Sequence, residues 1–176
     1  CLGLQCPGAR DGFVITRLLF QGRVFDHDTD DLIIFLRHPL TGQTAKQCLQ
    51  MKRSLKPTDN KIFNEAVGLA WLDFSKASFQ RNLDELLIVY YAASISSMQG
   101  AVEVVRYAMV SSSADDWHVR VHAEKFSNES NRKAYAAIKH AVELQKGAEV
   151  DKEALYPFML HLKFMSHDLD SDRTIE

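Results

Sequence analysis

A chain of 176 residues that is 46% hydrophobic and 25% charged has the size and composition of one folded domain, which excludes a disordered or fibrous protein. The formal net charge of -2 excludes a strongly basic protein, so an anionic partner would have to bind a local basic patch. No segment approaches the ~18 consecutive apolar residues of a membrane span, and the first residues lack the pattern of a signal peptide. We therefore expect a cytoplasmic protein that does not enter a membrane.

The cysteines Cys1, Cys6 and Cys48 are odd in number and include no C-x-x-C pair. This spacing argues against a disulfide framework or a zinc site and favours a reducing compartment. Residues 1–11 contain two glycines and a proline, which predicts an irregular lead-in, and we place residues 12–176 in a single domain. Because the chain starts without methionine and stops at Glu176 after an apparent strand, we expect it to be a module of a longer protein, namely its N-terminal one.

The first half of the chain contains both helical and strand patterns. Apolar residues in GFVITRLLFQGRVF, residues 12–25, recur at helical spacing and predict a helix. The segments DLIIFLR and AKQCLQMKR, joined by a turn that contains Pro39 and Gly42, predict a β-hairpin. A long amphipathic helix is predicted for residues 58–76, and a buried strand for residues 84–92.

The second half is mainly helical in pattern. Three helices are predicted within residues 98–110, 114–126 and 128–147, the last with Gly147 at its C-cap. A short helix broken near Pro157 and a strand from about Leu162 to Leu169 complete the pattern. The sequence thus predicts an α/β fold with a helical C-terminal half.

The hairpin carries the residues that are best suited to metal binding and catalysis. Adjacent aspartates, Asp30 and Asp31, precede its first strand, and a Gln-x-Lys sequence, Gln50 to Lys52, ends its second. Mg²⁺ prefers oxygen ligands, and a nearby cation would stabilise the charge that develops when a phosphodiester is attacked. The hairpin therefore has the residue types of a metal-dependent phosphodiesterase site.

Strand pairing tests whether these side chains meet. In an antiparallel hairpin, one centring of the turn places Asp31 opposite Gln50, whereas a shift of half a residue places Asp30 opposite Lys52. Gln50 and Lys52 share one face because side chains alternate along a strand. Both registers allow a site, but spacing alone does not distinguish it from a solvated structural hairpin.

The hairpin sequence resembles the core of the PD-(D/E)XK nuclease superfamily in its Gln-x-Lys form. The resemblance is carried by DDLIIFL followed by CLQMKRSL. RDGFVITRLLF resembles the start of that group's first helix, and NEAVGLAWLDF and LLIVYYA follow in the expected order. LYPFMLHLKFMSHDLD is similar to a segment that closes such domains in antiviral STAND proteins and related effectors. The resemblance covers most of the chain from Arg10, but only the Asp and Gln-x-Lys elements are chemically specific.

The resemblance implies a restriction-endonuclease-like mixed β-sheet flanked by helices and a double-stranded DNA endonuclease effector of bacterial antiphage defence, either a CBASS effector or an antiviral STAND protein. It implies that Mg²⁺, or Mn²⁺, is bound by Asp31 or Asp30, by Gln50 and by the Met51 carbonyl. Lys52 would stabilise charge and position water. The family also implies homo-oligomerisation through a C-terminal sensor or ATPase region.

One departure from the family concerns the first helix, where many relatives carry Glu or Gln. Thr16 occupies about that position, and no acidic residue lies between Gly12 and Phe25. Asp11 or Glu65 would have to substitute, or one ligand is absent. The missing acid leaves open an inactive module of the same fold used for oligomerisation or partner binding. A further alternative, of a different class, is an RNA-binding or RNA-cutting variant.

Basic residues cluster beside the predicted site, in a protein with slight net negative charge. They are suited to contacts with a phosphate backbone, although a solvated strand end gives the same pattern. The predicted DNA-binding residues are Lys46, Arg53, Lys56 and Lys61.

Overall fold

A computed structural model describes residues 12–29, 31–91 and 94–167. These residues form a five-stranded sheet in the order β1-β2-β3-β4-β5. The strands are β1 (Val14–Phe20), β2 (Leu32–Arg37), β3 (Thr44–Lys52), β4 (Glu85–Tyr91) and β5 (Leu162–His167). The first three pair antiparallel, whereas β3, β4 and β5 pair parallel, so the sheet is mixed.

Helices connect the parallel strands, as parallel pairing requires a crossover. They are α1 (Lys61–Ser75), α2 (Ile95–Val110), α3 (Ala114–His122), α4 (Glu129–Lys146) and α5 (Lys152–His161). The predicted α/β class with a helical C-terminal half is confirmed. Asn60 begins α1 by accepting a hydrogen bond from the Phe63 N–H, and Gly147 ends α4 with a φ of 70°.

The helix predicted for residues 12–25 is wrong. Residues 14–20 form strand β1, and Gly22–Phe25 form one 3-10 turn. The pairing of β1 with β2 shifts register between Ile15 and Arg17, which interrupts the two-residue alternation that identifies a strand. Thr16 lies in this irregular strand and not in a helix. The absence of an acid from residues 12–25 therefore cannot be compared with the Glu or Gln that relatives carry in their first helix.

The predicted break near Pro157 is also wrong, because α5 continues through it to His161. Proline removes one backbone N–H from the helical pattern, at a substantial cost to an isolated helix. Here buried Leu155, Phe158 and Met159 fix both sides of the proline against the core. Tertiary packing therefore outweighs the local preference.

The main hydrophobic core lies between the helices and one face of the sheet. That face contributes Ile33, Cys48, Leu86, Ile88 and Phe164, all of which pack into one cluster with side chains of the five helices. On the opposite face, the described residues form a smaller cluster without helical members around Ile34, Leu36 and Ala45. Residues Asp31, Gln50 and Lys52 follow the alternation of the helix-covered face.

Candidate functional site

Asp31 and Gln50 meet at the open end of the β2–β3 hairpin. The observed register pairs Leu32 with Leu49, which is the predicted register that sets Asp31 opposite Gln50. The Gln50 amide donates to Asp31 Oδ2 at 3.1 Å, and the Met51 backbone N–H donates to the same oxygen at 2.5 Å. The hairpin therefore brings the predicted carboxylate and amide into direct contact.

The carbonyl end of Gln50 is a buried acceptor without a donor. Only 4% of Gln50 is exposed, and its Oε1 makes no hydrogen bond in the described structure. An unsatisfied buried acceptor costs about 1–3 kcal/mol, so such atoms are uncommon and often mark a binding or catalytic position. Both hydrogen bonds to Asp31 use Oδ2, which leaves Oδ1 outside these contacts.

Lys52 lies on the same strand face as Gln50, ~7 Å further along β3. It pairs in register with Tyr90 of β4 and is half-buried. Together with Arg53, Tyr91 and His167 it lines a hollow of about 230 Å³ at the carboxyl ends of β3, β4 and β5. In open α/β sheets, ligands commonly bind outside this edge.

This end of the hairpin has ligand atoms that suit a hard divalent cation. Asp31 offers a carboxylate oxygen and Gln50 an unpaired amide oxygen, and Mg²⁺ binds through one or two carboxylates, neutral oxygens and water. Met51 contacts Asp31 through its N–H, whereas the family resemblance implies a ligand role for its carbonyl. These two ligands, Asp31 and Gln50, fit Mg²⁺, and the Asp31 carboxylate is the charged one of the pair.

Three further acids were predicted as possible metal ligands, and the structure describes one of them. Asp30 and Asp11 lie outside the described residues. Glu65 is exposed on α1, where its carboxylate is 3.9 Å from the Arg23 guanidinium. Among the residues that the structure describes, three metal-ligating His, Cys, Asp or Glu side chains come together at one place, and Asp31 is not part of it.

The predicted DNA-binding residues separate into two groups. Arg53, Lys56 and Lys61 are exposed on the segment that follows β3. Lys46 lies at the other end of β3, where its Nζ is 3.8 Å from buried Asp84 and donates to the Ser78 carbonyl. Lys46 is thus engaged in the fold, ~20 Å along the strand from Lys52.

Asp73, which sequence patterns did not single out, fixes the loop that leads to Asp31. Its buried carboxylate accepts backbone hydrogen bonds from Asp28 at 3.0 Å and Thr29 at 2.7 Å, and its Oδ1 is 3.0 Å from Lys76 Nζ. Burial alone would raise the pKa of Asp73, but the hydrogen bonds from Thr29, Asp28 and Lys76 hold it below its usual value. An aspartate on the apolar face of an amphipathic helix is the one sequence signal that could have indicated this role.

His27 and Cys48 lie beside Asp73 in the same buried region. Burial, with a smaller contribution from the Lys46 charge, lowers the pKa of His27, and burial raises that of the Cys48 thiol. The ligand atoms of His27, Cys48 and Asp73 all lie within 4.8 Å of one another. No local motif connects these residues, because they come from a loop, a strand and a helix that meet only in the folded chain.

No family model, curated protein or solved structure matches this chain. Among the described residues, no helix has the length and apolar character that crossing a membrane requires.

Proposed function

We propose that this protein is a metal-dependent endonuclease domain that hydrolyses phosphodiester bonds in double-stranded DNA. The observation that carries this proposal is the unpaired, buried Gln50 carbonyl beside the Asp31 carboxylate, on the strand face that also carries Lys52. A neutral amide oxygen held without a donor is costly in a purely structural hairpin. It is accounted for if a cation completes the site.

Each side chain has a distinct role in this proposal. Asp31 and Gln50 hold Mg²⁺, and a bound Mg²⁺ supplies Lewis-acid activation of the phosphate and of the attacking water. Lys52 donates hydrogen bonds to a phosphate oxygen and stabilises the negative charge that grows during attack. Arg53, Lys56 and Lys61 contact the flanking phosphates and hold the duplex over the strand ends.

The resemblance to PD-(D/E)XK effectors supplies the biological setting of the proposal. It points to an antiphage effector domain whose cutting is controlled by oligomerisation through further sensor or ATPase regions. The mixed sheet, with the aspartate before β2 and the Gln-x-Lys at the end of β3, supports that resemblance. Cellular location in the cytoplasm belongs to the same proposal.

The direct test is plasmid cleavage by the protein with Mg²⁺, with EDTA as the metal-free control. We expect Lys52→Ala and Asp31→Ala to lower the cleavage rate by at least ~100-fold, a usual loss for a residue that stabilises transition-state charge. Lys125→Ala is the matched control, because this exposed lysine lies beside Phe126, between α3 and α4. Equal cleavage by wild type and Lys52→Ala would refute the assignment of Lys52.

A second candidate function, an inactive module for oligomerisation or partner binding, rests on a different observation. The two hydrogen bonds to Asp31 Oδ2 close the end of the hairpin, so the carboxylate already has a structural role. Calorimetric titration with Mg²⁺ and Mn²⁺ separates the two candidates. Binding that disappears in Asp31→Ala supports the nuclease, whereas absence of binding together with absence of cleavage supports the inactive module.

Competition between duplex DNA and duplex RNA in the same assay tests the nucleic-acid class. We expect unlabelled DNA to inhibit plasmid cleavage at lower concentration than RNA does. Stronger inhibition by RNA would redirect the proposal to an RNA-cutting enzyme.

A further inference from the structure

A second group of potential metal ligands lies on the same helix-covered face of the hairpin as Asp31 and Gln50, at a separate position further along β3. It comprises His27 in the loop before β2, Cys48 in β3 and Asp73 in α1. Cys48 is 1% exposed and Asp73 is 2% exposed, and the His27 side chain is 12% exposed. The fold therefore brings a thiol, an imidazole and a carboxylate together in a nearly dry environment.

An unsatisfied atom marks this group as incomplete. The Nδ1 atom of His27 is buried and makes no hydrogen bond in the described structure. Asp73 Oδ1 is 4.0 Å from it, which is too far for a hydrogen bond. Buried polar atoms are nearly always paired, so a ligand between Nδ1 and its neighbours would remove a cost of about 1–3 kcal/mol.

The three ligand types select a particular class of metal. Thiolate and imidazole favour Zn²⁺ and similar first-row ions over Mg²⁺ or Ca²⁺, which take oxygen ligands. Zinc holds sulfur at ~2.3 Å and nitrogen at ~2.0 Å, so tetrahedral ligands lie roughly 3.5 Å apart. The observed separations, all within 4.8 Å, reach that value through small side-chain movements.

The charges around the group are compatible with a divalent cation. Two lysines lie near the group: Lys76 Nζ is 3.0 Å from Asp73 and 2.8 Å from Asp28, and Lys46 Nζ is 3.8 Å from Asp84. Asp28 thus balances Lys76 and Asp84 balances Lys46, which leaves the Asp73 carboxylate and a Cys48 thiolate to balance a divalent ion. Three protein ligands with one water molecule is a coordination that zinc commonly adopts.

We propose that His27, Cys48 and Asp73 bind one Zn²⁺-class ion that joins the loop before Asp31, strand β3 and helix α1. His27 lies shortly before Asp31 in the chain, and Cys48 shortly before Gln50. The ion would therefore fix the loop before β2 to strand β3 and helix α1, on the same sheet face as Gln50 and ~7 Å along β3 from the proposed Mg²⁺ position. It is independent of whether the chain cleaves DNA.

Cobalt provides the probe, because a Co²⁺–thiolate bond gives a charge-transfer band in the near ultraviolet and visible bands that report coordination number. The protein for titration carries Cys1→Ser and Cys6→Ser, so that Cys48 is its only thiol. We expect one Co²⁺ per chain, with a thiolate band that disappears when Zn²⁺ is added. We also expect zinc to raise the midpoint of thermal unfolding.

The ligand variants are Cys48→Ala and His27→Gln in the same background. We expect loss of the thiolate band in the first and at least tenfold weaker cobalt binding in the second, with no zinc-dependent rise in thermal midpoint in either. His118→Gln is the matched control, because its ring packs against His122 and Tyr135 away from the cluster. Asp31→Ala should also retain the band, which separates this site from the proposed nuclease centre.

Absence of a thiolate band in a folded parent protein would overturn the proposal and leave the three residues as a packed, metal-free cluster. Persistence of the band in Cys48→Ala would do the same. If Cys48→Ala fails to give a native far-ultraviolet circular dichroism spectrum, His27→Gln decides the result, since His27 lies outside the helices and strands. Undiminished cobalt affinity in that variant refutes the site.

Discussion

At the scale of single residues, Asp73 shows how one buried charge controls the position of a neighbouring loop. Its carboxylate accepts hydrogen bonds from two consecutive backbone N–H groups and contacts the Lys76 ammonium. Lys76 in turn donates to the Asp26 carbonyl at 2.5 Å. The chain before Asp31 is thus anchored on helix α1 at several points.

We expect Asp73→Asn to lower the free energy of unfolding by about 3 kcal/mol at neutral pH. The neutral amide removes the charge paired with Lys76, and its NH2 group would face a backbone N–H that now donates to the carboxylate. The pKa of Asp73 is lowered in the folded state. Its stabilisation is therefore complete above the unfolded value of ~3.9 and is lost as the pH falls through the folded value. Denaturant unfolding should show a difference from wild type that shrinks below about pH 4.

The control for this prediction is Glu149→Gln, since the Glu149 side chain is 89% exposed. A surface change of this kind is expected to alter stability by less than about 0.5 kcal/mol. A constant difference between Asp73→Asn and wild type down to about pH 2 would contradict the lowered pKa of Asp73.

Gln50 tests the proposed Mg²⁺ position in a way that does not depend on cleavage. Gln50→Glu places a second carboxylate beside Asp31, and without metal the repulsion should lower the free energy of unfolding by a few kcal/mol. Mg²⁺ should restore the thermal midpoint of this variant and bind it more tightly than wild type, since charged ligands increase affinity. A loss of stability that Mg²⁺ does not reverse would argue against a cation at this place.

At the scale of elements, two helical glycines show how close packing differs from one helix to another. A Cβ atom added to Gly100 in α2 would lie 2.7 Å from the Ser130 carbonyl oxygen at the start of α4. The same addition at Gly68 in α1 would first meet the side-chain oxygen of Gln145, at 3.0 Å. The first neighbour is backbone, whereas the second is the far end of a flexible side chain.

We expect Gly100→Ala to lower the free energy of unfolding by about 1–3 kcal/mol, because α2 and α4 must separate to admit the methyl group. Gly68→Ala should be neutral or stabilising by up to about 1 kcal/mol, since alanine favours the helix and Gln145 can rotate away. Urea denaturation of both variants provides the comparison. Equal effects of the two substitutions would show that α2 and α4 pack less tightly than the structure describes.

At the scale of the whole molecule, exposed basic residues lie near the carboxyl end of β3 although the net charge of the chain is -2. Lys56 and Lys61 are exposed there. If duplex DNA binds across this end of β3, each phosphate that a lysine neutralises should add about 0.9 to the magnitude of the slope of log affinity against log salt. The charge distribution thus makes a quantitative prediction.

We expect the double substitution Lys56→Glu and Lys61→Glu to weaken DNA binding and to reduce the magnitude of that slope by about 0.9 for each phosphate that is no longer neutralised. Fluorescence anisotropy with a labelled duplex over a range of salt concentrations measures both quantities without cleavage. Lys125→Glu should leave the slope unchanged. An unchanged slope in the double variant would place the DNA elsewhere or remove it from the proposal.

The sequence by itself determined the hairpin, helix α1, strand β4 and the helical C-terminal half, because each has a clear apolar period and recognisable turn or cap residues. It also narrowed the pairing of β2 with β3 to two registers, one of which places Asp31 opposite Gln50. The choice between these registers required the structure, since alternation alone does not encode the exact centre of the turn between β2 and β3.

Only the tertiary structure decided the features that depend on distant contacts. The register shift next to Thr16 hid a strand within a helical pattern, and the core held α5 together across Pro157. The unpaired Gln50 carbonyl and the grouping of His27, Cys48 and Asp73 exist only once loop, strand and helix meet. Local sequence patterns indicate whether a segment forms a helix or a strand. The contacts of a side chain depend on segments that are far apart in the sequence.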